Sequence, residues 1–198
     1  TNVFQFKFDG NGDIFLDNIY FYKTGGGGGG GGAYSIDKPI DFETPGFGAA
    51  WTWNVFENGS NPPLEFVANP NASGINTSSK VAKFTALQAG QPYAGCETAH
   101  GQMGITWDLS ASNSKIRIMV YKTKISDVGI KLANPAGGAQ PEIKVANTKI
   151  NEWEELTFDY SAINTANSYQ KIVLIFDLGT PGDGSANFTW LFDDITLN

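Results

Sequence analysis

Three carboxylates have the chemistry and the placing to hold a cation. In Tyr34 to Thr44 (YSIDKPIDFET), Asp41 and Glu43 share one face of an extended segment by period 2. In Phe188 to Asn198 (FTWLFDDITLN), Asp193 falls in line with Leu191, Ile195 and Leu197, while Trp190, Phe192, Asp194 and Thr196 take the other face. A lone charge among apolar side chains is costly unless a partner or a metal takes it. If the two segments lie side by side, two or three carboxylates converge. Calcium, which accepts carboxylate and carbonyl oxygens in flexible geometry, suits such a set, and the polar stretch Asn76 to Lys80 would add carbonyls. The alternative is that Asp41 and Glu43 are solvated edge residues and Asp193 caps backbone. One histidine, His100, and one cysteine, Cys96, do not supply a zinc set.

Catalytic arrangements are harder to build. Asn151 to Glu155 (NEWEE) invites comparison with paired glycosidase carboxylates, but Trp153 and Leu156 fit a plain packed strand. A Cys96–His100 dyad lacks a third group to orient the imidazole. A lyase using His100 and Tyr93 as base and acid is the remaining enzyme reading. Gly25 to Gly32 is not a phosphate loop, since no Lys-Ser/Thr follows it. The chain is expected not to be an enzyme.

The elements that must position these residues are strands. The 198 residues hold 13 % aromatic side chains and 24 glycines, with no stretch showing a helix stripe and caps. Trp51 to Glu57, Leu64 to Ala68, Val81 to Leu87, Ile105 to Leu109, Lys115 to Thr123, Val128 to Leu132, Glu142 to Val145, Glu154 to Tyr160 and Lys171 to Leu178 each read as strands. Gln88 to Met103 reads as a long loop. So many short strands predict an all-β jelly-roll sandwich of two antiparallel sheets. Val3 to Phe8 and Ile14 to Tyr22 form an extra N-terminal β-hairpin around Asp9-Gly10-Asn11-Gly12. Asp17-Asn18-Ile19 echoes Asp193-Asp194-Ile195. The expected organisation is a hairpin over 1–24, a glycine linker over 25–32 and the sandwich over 33–198. The hairpin is expected to be the tail of a preceding module or a strand pair exchanged in a dimer, because two strands alone are not stable.

The net charge of -7 argues against nucleic acid and anionic membranes as partners. A single cysteine allows no intrachain disulfide. The first residues, TNVFQFKF, lack the regions of a signal peptide, which is expected of a mature segment of something longer.

Four motifs in order carry a resemblance: DFETPG at Asp41 to Gly46, SGINTSSKVAKF at Ser73 to Phe84, NEWEELTFDY at Asn151 to Tyr160, and WLFDDITL at Trp190 to Leu197. The set resembles the β-jelly-roll carbohydrate-binding modules of polysaccharide-degrading enzymes, of the cellulose-, xylan- and glucan-binding type, with the nearer likeness to marine Bacteroidetes modules. It covers Ile36 to Asn198. The resemblance implies a structural calcium ion tying the first strand to the last through Glu43 and Asp193. It also implies a glycan surface on the concave sheet or the loops at one edge, and binding without catalysis. The implied protein is secreted and fused to a catalytic domain, with an algal or plant polysaccharide, first a β-glucan such as laminarin, as partner.

Sugars rest on aromatic faces while amides, carboxylates and lysines take their hydroxyls. Trp51, Trp107 and Trp153 read as core. Trp53, Tyr121 and Trp190 are candidates for exposed rings. Gln91, Tyr93, Glu97 and His100 are the polar candidates in Gln88 to Met103, with Asn54, Lys122 and Lys124 beside them. The competing reading is a structural or adhesion sandwich whose aromatics are all buried.

Overall fold

The computed structural model describes residues 39–99, 107–134, 142–162 and 168–198. The N-terminal hairpin, the glycine run and His100 lie outside the described residues. The described residues are all β apart from one 3-10 turn at Ala186–Phe188.

The strands are β1 (Trp53–Asn58), β2 (Glu65–Ala68), β3 (Lys80–Thr85), β4 (Gly90–Thr98), β5 (Trp107–Asp108), β6 (Lys115–Lys122), β7 (Asp127–Ala133), β8 (Ile143–Ala146), β9 (Trp153–Asp159), β10 (Ser168–Tyr169), β11 (Lys171–Phe176) and β12 (Thr189–Leu197). They form two five-stranded antiparallel sheets in the orders β1-β4-β11-β7-β8 and β2-β3-β12-β6-β9, stacked as a jelly-roll sandwich, with β5 and β10 as a small separate pair. Alternation explains the layering: in β6, Ile116, Ile118 and Val120 are fully buried between half-exposed Arg117, Met119 and Tyr121. Ile130, Leu132, Ile172 and Leu174 fill the facing layer. Each such side chain contributes about 1.5–3 kcal/mol on leaving water.

Two expectations are corrected. Gln88 to Met103 is not a long loop: Gly90–Thr98 is a strand near the centre of its sheet, between β1 and β11. Its inward residues, Ala94, Cys96 and Thr98, are small and buried. The closing strand does not keep one face throughout. A bulge between Asp193 and Thr196, with Asp194 at φ 46°, shifts the alternation. Trp190 and Phe192 therefore point into the same core as Ile195 and Leu197, and Leu191 points away from it.

Candidate functional site

The outer face of the sheet β1-β4-β11-β7-β8 carries an open cleft. Cross-strand register lays its side chains in rows. Asn54, Glu97, Val173 and Lys131 stand opposite one another across β1, β4, β11 and β7, and Phe56, Gly95, Ile175 and Gly129 form the next row. Tyr93 follows Gly95 along β4, and Gln91 lies beyond it. The cleft has a volume of about 570 Å³, within the range of small-ligand sites. Its floor is apolar: Val173 and Ile175 are buried.

Two glycines shape that floor. A Cβ on Gly95 would lie 2.8 Å from the Phe56 ring and 2.3 Å from the Leu174 carbonyl oxygen, so the bare backbone lets Phe56 lie flat on the sheet. A Cβ on Gly129 would lie 2.4 Å from Glu142 Oε1, so Glu142 folds over the backbone in the same way. Gly95→Ala is expected to cost roughly 1–3 kcal/mol by overpacking, measured by denaturant unfolding, and to lift Phe56 out of its seat.

The polar groups sit as opposed charges on the cleft walls. Lys171 Nζ donates to Glu97 Oε1 at 2.7 Å. Across the floor, burial raises the Glu142 carboxyl above its ordinary pKa while Lys144 and Lys131 pull it back, and Glu142 Oε1 has no hydrogen-bond partner. Tyr93 is 47 % exposed and is the largest accessible ring on this face. An apolar floor, a pair of rings and hydrogen-bonding walls suit a polyhydroxylated molecule with an apolar face.

Four sequence-derived candidates share this face: Asn54, Gln91, Tyr93 and Glu97. Others do not. Trp53 is 9 % exposed; its Nε1 donates to the Gly48 carbonyl at 2.9 Å and its ring packs on Phe42 and Phe192. Trp190 is 1 % exposed and stacks on Phe176, with ring centroids 5.0 Å apart. Tyr121 belongs to the other sheet, edge-on to Trp153. Lys122 is buried, and its Nζ donates to the Ser126 carbonyl at 2.7 Å. Trp53, Trp190 and Lys122 offer no free ring or ammonium to a ligand, because the sandwich core or the β6–β7 turn uses each; Tyr121 is half-exposed, on the outer face of the other sheet and away from the cleft. Phe56, Lys131, Glu142 and Lys171 are cleft residues that the sequence reading passed over. Phe56 alternates with Asn54, so recognising Gly90–Thr98 as a strand pairing with β1 would have found it.

The first described segment and the last strand do meet. Ile40 and Ile195 exchange backbone hydrogen bonds of 2.9 and 3.1 Å. The expected set of Asp41, Glu43 and Asp193 nevertheless does not close on one point: among the described residues no three acidic, His or Cys side chains stand together as a metal set. Asp41 Oδ1 accepts from the Glu43 and Phe47 N–H groups within its own turn. Glu43 accepts from the Ser79 and Lys80 backbone and the Ser79 hydroxyl; burial works to raise its pKa, but these bonds, that from Lys80 foremost, outweigh it and lower the value. Asp193 is fully buried. Its Oδ2 accepts from Asn76 Nδ2 at 2.9 Å; Oδ1 makes no hydrogen bond of good geometry, although the Ser78 side chain and the Asp194 N–H lie close enough to the carboxylate to favour its charged form. Burial and then the neighbouring Asp194 push its pKa up to about 7. Asp194 is itself raised to about 6 by burial, Asp41 and Glu43. A buried carboxylate oxygen without a hydrogen bond of good geometry, amid this negative field, fits a single hard cation, whose other ligands would be amide and backbone oxygens.

Sandwich and cleft together define a β-sandwich with an open face suited to an extended ligand. No family model matches this chain, and neither does any curated protein. Solved structures of similar outline include TmCBM61, solved with β-1,4-galactotriose, at 16 % identity over 80 % of this chain and 94 % of that one, with a TM-score of 0.48. A chain from a study of promiscuous specificity in β-sandwich carbohydrate-binding modules matches at 13 % identity, over 82 % of this chain and 62 % of that one, TM-score 0.49. The C-terminal family 22 carbohydrate-binding module of Clostridium thermocellum Xyn10B matches at 11 %, over 86 % and 96 %, TM-score 0.45. At these identities the likeness concerns the fold.

Proposed function

We propose that this chain is a non-catalytic carbohydrate-binding module that holds an extended, neutral polysaccharide in the cleft. The observation that carries the reading is the pair of residue rows crossing four strands, with exposed Tyr93 beside Phe56 and the Lys171–Glu97 pair on the wall. Rigid strands preform this surface, which keeps the ordering cost of binding low. A β-glucan such as laminarin remains the first choice of sugar, because opposed charges in the cleft and a net charge of -7 favour a neutral chain. The module would serve outside the cell, delivering an attached polysaccharide-degrading enzyme to its substrate. Among the described residues no helix is long and apolar enough to cross a membrane.

Affinity electrophoresis against laminarin, β-1,4-galactan, xylan and mannan tests this. Retardation by at least one polymer is expected. Tyr93→Ala should weaken it by about tenfold, the scale of one lost aromatic contact, while stability changes by less than about 0.5 kcal/mol. Failure of every polymer to retard the wild-type protein would favour the structural or adhesion reading.

We also propose that calcium binds where the first described segment meets the last strand, with Asp193 as the anchoring ligand and Asp194 and Asn76 beside it. The support is the Asp193 Oδ1, without a hydrogen bond of good geometry, at a bulge against which the segment at Ile40 pairs.

A further inference from the structure

A second hollow lies at one end of the same sandwich. The turn 123–126 and the segment that follows β11 enclose about 310 Å³, lined by Lys124, Ser126, Asp127, Asp177, Leu178 and Thr180. Two of its buried polar atoms stand out. Asp177 is 5 % exposed; its Oδ2 is ion-paired with Lys124, and its Oδ1 receives no hydrogen bond. Lys124 Nζ stands against Oδ2, and Lys122 Nζ is 3.8 Å from Oδ1, too far for a hydrogen bond. Ser126 Oγ is also buried without a partner. Native proteins leave few such atoms unsatisfied, and two in one hollow call for a ligand or ordered water.

The local backbone holds Asp177 there. Its N–H donates to the Asp127 carbonyl at 3.0 Å and its own carbonyl accepts from the Thr180 N–H at 2.9 Å. This places Asp177 at φ 53°, in the left-handed region that Asp and Asn tolerate better than most residues.

The charges narrow the ligand class. Lys124 and Lys122 oppose a metal cation. Asp177, with Asp127 at the rim, opposes an anion. No aromatic ring lines the hollow, so it offers no stacking face. A neutral molecule with adjacent hydroxyls satisfies every group: one O–H donates to Asp177 Oδ1, and hydroxyl oxygens accept from Lys124 and Ser126. The hollow lies next to the cleft. Leu178 lines both, and the Gly179 N–H donates to the Pro92 carbonyl at 2.7 Å, next to Tyr93.

We propose that this hollow is a second sugar subsite, in which Asp177, Ser126 and Lys124 hydrogen-bond the adjacent hydroxyls of a neutral sugar residue. Its ligand class follows from its own groups; its place at the end of a longer chain rests on the cleft reading above.

The test is amide chemical-shift mapping of the full chain with D-glucose, D-galactose and D-mannose, each titrated into the tens-of-millimolar range. At least one sugar is expected to give saturable shifts at Ser126, Asp127 and Thr180. Thr180→Trp, a change at an exposed rim position, should fill the hollow and abolish them. Asp177→Asn keeps the shape and the backbone conformation, and should weaken the response by about tenfold, as loss of a charged acceptor does. A thermal melt of each variant confirms folding. No saturable shift at those three amides with any of the three sugars overturns the proposal and leaves the hollow to water. Persistence of the shifts in Thr180→Trp overturns it equally. Amides of Phe56, Tyr93 and Val173 report the cleft in the same spectra. Silence there beside a response in the hollow counts against the cleft alone, and the converse counts against the hollow alone.

Discussion

Stripped of divalent cations, the protein is expected to lose stability as the pH rises from about 4 to about 7, and calcium is expected to restore it. The sign follows from Asp193 and Asp194, whose folded-state pKa values are raised to about 7 and about 6. In the unfolded chain both release their protons near an ordinary aspartate value. Between the two limits the folded state holds more protons, so stability falls with pH and the loss is complete once Asp193 has titrated. For Asp193 alone the change is on the order of 4 kcal/mol, with Asp194 and the raised Glu142 acting in the same direction. Glu43 and Glu154, lowered in the fold, contribute stability that disappears only below the ordinary glutamate range. Lys122, brought down to about 8 by burial against the pull of Asp177, matters only above that pH. Neither effect falls between pH 5 and 7, where the fall is read. A bound calcium ion requires ionised carboxylates, so it should reverse the trend near neutral pH by mass action. Urea unfolding at several pH values in EDTA, then in calcium, measures both arms. Asp193→Asn should flatten the EDTA slope and remove the calcium response. A metal-free protein that grows more stable from pH 5 to 7 would sink this account.

Much of the fold was legible because its signals are local. Alternation in Lys115–Lys122 and Trp153–Asp159 marks strands whatever surrounds them. The pairing of the first segment with the last strand was an implication of the family resemblance, not of the residues alone, and Ile40 with Ile195 shows it. What stayed hidden depends on placement. Gly90–Thr98 is rich in Gly, Pro and Ala, a composition that reads as loop, yet it is a strand paired on both sides with its small inward residues buried. With that strand read as loop, Tyr93 and Glu97 were found but their cleft neighbours Phe56, Lys131 and Lys171 were not. The bulge at Asp194 was hidden more deeply. A period-2 count through FTWLFDDITLN assigns Trp190 to the face opposite Ile195, and only the extra residue brings both inside. Lys122 misled for a different reason: a lysine in a strand reads as exposed, but this one is desolvated with its ammonium on the Ser126 carbonyl.

The same bulge sets the largest expected effect of any single side chain, at Trp190. Its ring stacks on Phe176 at 5.0 Å and 9°, on Phe84 at 6.0 Å and 22°, and meets Phe188 edge-on at 6.1 Å. Trp190→Ala removes the centre of that stack and leaves a cavity that the strands on both sides cannot close, so a loss of about 3–5 kcal/mol is expected. Trp190→Phe should cost far less. Phe keeps an aromatic face against Phe176, and it also removes the indole N–H, which is buried here without a hydrogen-bond acceptor. The Lys122 ammonium, 5.7 Å from the indole ring centroid, loses its cation–π partner outright in Trp190→Ala and only part of it in Trp190→Phe, which widens the gap between the two. Chemical denaturation of the two variants beside Tyr93→Ala distinguishes core from surface. The Trp190 variants should differ from each other in stability, and Trp190→Phe should still be retarded in a polysaccharide gel. Tyr93→Ala should match the wild type in stability and lose the gel shift. If Trp190→Ala unfolded within about 1 kcal/mol of the wild type and lost sugar binding instead, then Trp190 would be a platform, the inward turn of β12 before the bulge would be wrong, and the sugar would lie on the opposite sheet.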